Sequence, residues 1–250
     1  MCVWVYDGSF EGLMSIVYKW FYTKEKPEDI QAADREVPSL LYTSQWVDTN
    51  PLWAEKAAKG IIERLGEENF RRLSKVYFSE TEGLENCIIQ FLRLGFKMGP
   101  RVIENLADPF VADFYKRESA VARESHKFLG LLRFQELENG WLYAAYEPSY
   151  NLLAILSEHF SQRLGSEKWI IHDLKRNLAS VYANGKWHAG PLEQVDMLHL
   201  AEDELLFQNL WKRYYKHIGI EERRNEKLKM QMMPKKYWRY LSELKPEWTV

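Results

Sequence analysis

The sequence predicts an α+β fold: a helical N-terminal half, a central antiparallel sheet with hairpins, and C-terminal helices packed on it. Three observations lead there. Apolar residues recur at helical spacing through much of residues 10–128, and the period changes to two near Leu131. Two Asn-Gly pairs, Asn139-Gly140 and Asn184-Gly185, then punctuate β-prone runs in the way tight hairpins require. With no internal repeat and no low-complexity linker, residues 1–250 read as a single α+β domain. Within it lie a helical subregion at about 50–128, a sheet-containing core at about 129–190 that includes the N-terminal strand, and basic helices over 202–245.

The elements follow in order. "CVWVY" at residues 2–6 reads as a buried strand, Asp7-Gly8-Ser9 as a turn, and the stretch from Phe10 as a helix with Ser9 as its N-cap. Strand, turn and helix together have the shape of a phosphate cradle. "DGSFEG" nevertheless lacks both the dinucleotide-binding glycine spacing and the Lys-Ser/Thr of a P-loop. Residues 38–49 form an irregular or β connection. A helix then starts at Asn50 or Thr49 with Pro51 in its first turn, and others cover about 67–78 and 83–98. Asp108-Pro109 opens a helix whose buried face carries Phe110, Phe114, Val121 and Phe128, leaving Arg123 and Lys127 largely off the stripe. Residues 131–147 and 169–188 should share one antiparallel sheet, with a helix between them ending at Gly165. Helices at about 202–218 and 223–231, and a short one after Pro234, close the chain.

Composition narrows the function classes. Cys2 and Cys87 alone cannot build a disulfide framework or a cysteine zinc cluster, and they suit a reducing cytoplasm. No apolar run is long enough to span a membrane, so no membrane partner is expected. The net charge of −2 hides an asymmetry: residues 212–245 carry eleven Lys/Arg against four Asp/Glu. A basic tail on a near-neutral protein suits a phosphate backbone or an acidic partner.

Six histidines show no metal-ligand spacing and no Gly-x-Ser-x-Gly elbow is present, so neither a cofactor nor a metal is expected. His126, beside Lys127 and near Arg133, and Asp173 are the candidate acid/base groups. His172 and Asp173 adjoin on a strand and should face opposite sides. The cations are better organised. Arg123, Lys127 and Arg133 can share a surface at the joint between a helix and a strand. Lys175 and Arg176 sit in a turn between two strands. Arg224, Lys227 and Lys236 interleave with Tyr237, a charge-and-ring pattern suited to flexible nucleic acid.

"YDGSFEGLM", "ESHKFLGLLRF", "WIIHDLKRNLASVY" and "ERRNEKLKMQMMPKKYW" occur in this order along residues 2–240. In these stretches the chain resembles a bacterial family of DNA metabolism and DNA repair proteins. That family's domain of unknown function is also found joined to uracil-DNA glycosylase-like modules. The resemblance implies a DNA-binding accessory encoded beside, and acting with, a radical S-adenosylmethionine DNA repair protein. The two alternatives are an enzyme acting on nucleic acid or nucleotides through His126 or Asp173, and a non-catalytic protein–protein adaptor.

Overall fold

The structure, a computed structural model, describes residues 2–36, 42–192, 199–218, 220 and 225–244. It is a mixed α+β fold that divides into two compact units, Met1–Ala122 and Arg123–Val250.

In the first unit, β1 (Cys2–Tyr6) is the middle strand of a three-stranded parallel sheet, flanked by β2 (Asp29–Ala32) and β3 (Thr43–Trp46). This corrects the expectation that the N-terminal strand joins the sheet of residues 129–190. The parallel pairing follows from the crossover helix α1 (Phe10–Tyr22), which returns the chain to the starting edge before β2 begins. Ser9 caps α1 as expected, its hydroxyl accepting from Gly12 N at 2.9 Å. Asn50, not Thr49, caps α2 (Pro51–Phe78): Asn50 Oδ1 accepts from Trp53 N at 3.1 Å, while the Thr49 hydroxyl donates to Asp7. Gly66, at φ 84°, interrupts α2 where the sequence separates two helices, because a side chain resists that backbone. α3 (Leu84–Met98) and α4 (Pro109–Leu131) complete the layer, with Phe91 and Phe114 stacked at 3.7 Å in the core.

The second unit begins inside α4. Its sheet has the order β4 (Gln135–Glu136), β5 (Leu142–Tyr146), β6 (Trp169–Asp173), β7 (Leu178–Ala183), β8 (Lys186–Pro191). Residues 131–147 and 169–188 do share this sheet, and it is mostly antiparallel. The β5–β6 pair is parallel, because α5 (Leu153–Arg163) carries the chain back across the sheet. The two Asn-Gly turns differ. Asn184 and Gly185 both have positive φ (53° and 79°) and form a two-residue turn of the kind that matches strand twist. At Asn139-Gly140 only the glycine is left-handed, and the longer loop is closed by Leu137 N to Trp141 O at 2.8 Å. α4 persists to Leu131, so Arg133 sits in the connection before β4 rather than on a strand. α6 (Glu204–Ile218), α7 (Glu226–Met232) and a 3₁₀ turn at Lys235–Tyr240 match the expected C-terminal helices. Among the described residues no helix is long and apolar enough to cross a membrane.

Candidate functional site

β5, α5 and β6 form a βαβ unit, and the carboxyl ends of parallel strands are where such units leave room for ligands. β5 ends at Tyr146 and β6 at Asp173, two residues paired in register. The loop after β5 brings exposed Ser149 to this edge.

Three cations meet on that serine. Lys175 Nζ and Arg176 Nη2 both donate to the Ser149 carbonyl, at 3.1 and 3.2 Å, and Lys236 Nζ donates to its hydroxyl at 2.6 Å. The turn that presents the first two is built by Asp173. Its Oδ1 accepts from the backbone amides of Lys175 (3.1 Å) and Arg176 (3.3 Å), and its Oδ2 holds Arg176 Nη1 at 2.9 Å. Asn177, at φ 52°, completes the turn into β7. Asp173 is fully buried; burial raises its pKa from the ordinary value against the opposing pull of Arg176.

Glu124 on α4 holds the loop from the other side. Its carboxylate accepts from the amides of Ser149 and Tyr150 at 3.0 Å, from the Tyr237 hydroxyl, and from Lys236 Nζ at 3.3 Å. Burial would raise its pKa, but the bonds from Tyr237, Ser149 and Tyr150 outweigh burial and hold it below the usual value. Tyr146 lies within electrostatic reach of Asp173, Arg176 and Glu124. Its hydroxyl is buried and has no hydrogen-bond partner among the described residues.

The predicted site residues therefore separate. Lys175, Arg176, Lys236 and Tyr237 converge on Ser149 and Glu124. Arg123 is exposed on α4, and Lys127 reaches the carbonyl of Gln231 at 3.2 Å. Arg133 turns inward: Nη2 and Nε bind the Glu243 carboxylate at 2.6 and 3.2 Å, and Nη1 donates to the carbonyls of Gly130 (2.7 Å) and Leu132 (3.2 Å). Lys227 is exposed on α7, where Lys229 lies 5.0 Å from the Trp238 ring. Arg224 lies outside the described residues. His126 is exposed on α4, whereas Asp173 is enclosed and occupied in shaping its turn. Among the described residues no group of three His, Cys, Asp or Glu could hold a metal ion.

Sequence reading passed over Glu124, Ser149 and Glu243. The partners of Glu124 are 25 to 113 positions away, so no local pattern exposes it. The available signal is positional: the loop after the first strand of a βαβ unit.

His172 faces the opposite side from Asp173, as alternation requires. Its Nδ1 lies 2.8 Å from the Tyr143 hydroxyl, in a buried pair. Burial lowers the His172 pKa and pushes the Tyr143 phenol up to about 12. The folded state thus binds fewer protons at His172 than the unfolded chain does. Its stability contribution is present above the unfolded value of about 6.5 and is lost as pH falls below it. Denaturant melts from pH 7 to 5 should show declining stability, and His172→Asn should flatten that decline.

No curated protein matches the chain. One family model does, over residues 82–243, which include the whole Ser149–Glu124 site and well over half of the sequence. The chain belongs to the family defined by the domain of unknown function DUF4130.

Proposed function

We propose that the protein is a DNA metabolism or repair accessory that binds nucleic acid by seating backbone phosphate at the Ser149 edge of its second unit. The observation that carries this reading is the convergence of Lys175, Arg176 and Lys236 on a single exposed serine. Two of these cations are ammonium groups on exposed side chains, which can turn from a neutral carbonyl or hydroxyl to a phosphate oxygen at little cost. Glu124 and Asp173 hold the cradle open from beneath. The surrounding chain extends the surface: Lys229 and Lys235 border Trp238 at 5.0 and 5.9 Å, and Lys236 and Arg239 border Tyr237 and Tyr240. Rings beside cations suit unpaired bases together with their phosphates. Arg123, Lys127 and Lys227 would add outer phosphate contacts. In this role the protein acts with a radical S-adenosylmethionine DNA repair partner, as the family resemblance implies.

Titration of a labelled DNA oligonucleotide at several salt concentrations tests the proposal. Lys175→Gln and Lys236→Gln should each weaken binding and flatten the slope of log affinity against log salt by about one unit. Thermal melting should move little, because exposed ion pairs are worth at most about 1 kcal/mol. Unchanged affinity and slope in both variants would overturn the reading.

A further inference from the structure

Among the described residues, hydrogen bonds tie α6 to the rest of the second unit at its start and at Trp211. Glu204 accepts from Glu136 N at 2.9 Å, and Trp211 Nε1 donates to Glu243 at 3.1 Å. Glu204 is the helix's one buried residue among those described. Phe207, Leu210, Tyr214 and Ile218 form a second stripe at helical spacing, and they stand 58, 50, 55 and 59 % exposed. Leu206 extends the stripe at its side, 57 % exposed. A continuous row of large apolar side chains open to water marks an interaction surface rather than scattered surface residues.

Charge selects the occupant. The entry of α6 carries exposed Glu202 and Asp203, and its last turns carry exposed Arg213, Lys216 and His217. With three Asp/Glu and three Lys/Arg over residues 202–218, the helix carries no net charge to draw it to an anionic membrane or a uniformly acidic partner. A second copy lying antiparallel is complementary at both ends. With a twofold axis near Leu210, Phe207 of each copy lies against Tyr214 of the other, and Asp203 comes beside His217 and Ile218. The acidic entry of each helix then meets the basic exit of its mate, and the stripes cover one another.

We propose that the exposed face of α6 is an isologous self-association surface through which two copies of the chain pair antiparallel, with Phe207, Leu210, Tyr214 and Ile218 at its centre. This is independent of the nucleic-acid reading.

Sedimentation equilibrium of the full chain over a concentration series tests it. The native protein should approach twice the chain mass and return to one chain on dilution. Leu210→Glu places two carboxylates at the axis and should weaken association by about 100-fold, the loss expected of a central anchor. Its melting temperature should hold, because the side chain is already half exposed; Phe207→Ser, read the same way, provides a second variant. Asp203→Lys should weaken association, and combining it with His217→Glu should restore it. A native chain that stays monomeric throughout, including one that instead sediments with anionic vesicles, would overturn the proposal. So would a dimer indifferent to both stripe variants, or a charge swap that restores nothing.

Discussion

Glu124→Ala should be among the most damaging single substitutions in the second unit. It leaves the amides of Ser149 and Tyr150 and the hydroxyl of Tyr237 without the carboxylate that joins them. Removing one side of a buried charged network costs about 3–5 kcal/mol, most of it the desolvation of the groups left behind. In a unit of this size that lowers the melting temperature by roughly 10 °C or more. Lys236 contributes little of this, being half exposed and screened by solvent. The pH dependence carries the same sign. The folded pKa of Glu124 is held below its unfolded value, so the stabilisation is complete above about pH 4.3 and is lost as pH falls through the folded value. Acid melts of the native chain and of Glu124→Gln measure it; the variant should lack the Glu124 component of the acid loss.

Arg133→Gln should destabilise on a similar scale. It strands Glu243, whose side chain is almost wholly enclosed and whose pKa is held low by bonds from Arg133 and Trp211 against the upward effect of burial. The expected cost is about 3–5 kcal/mol. Arg133→Met combined with Glu243→Leu should recover much of it, because an apolar pair of similar volume avoids the desolvation penalty. Arg133 thus distinguishes two roles the sequence cannot separate, a phosphate ligand and a structural arginine. As a structural group it should leave the salt slope of DNA binding unchanged, at temperatures where the variant is folded.

The sequence displayed those features that depend on near neighbours. The Ser9 cap, the break of α2 at Gly66, the Asp108-Pro109 helix start, and the turn carrying Lys175 and Arg176 are all set by residues within a few positions. The parallel pairings escaped it. "CVWVY" shows that a strand exists but not its partners, and β2 and β3, at four residues each, are too short to announce themselves. β5 and β6 each read correctly as strands, yet only the path of α5 makes them parallel. The same limit applied at the site. The basic turn was legible, and so was the ring-and-cation pattern of 235–240. Glu124, Ser149 and Glu243 were not, because what matters about each is a partner far along the chain. Arg133 shows the converse: a cation at an exposed-looking joint whose carboxylate partner lies 110 positions on.

Ser149 and its three cations are the proposed phosphate seat. The most direct measurement follows the backbone amide signals of the isotopically labelled full chain during titration with a short DNA oligonucleotide. Ser149, Lys175, Arg176 and Lys236 should shift together and saturate at one affinity, and Lys175→Gln with Lys236→Gln should abolish those shifts. Binding that leaves these four signals in place while others move would contradict it, as would the absence of binding at low salt.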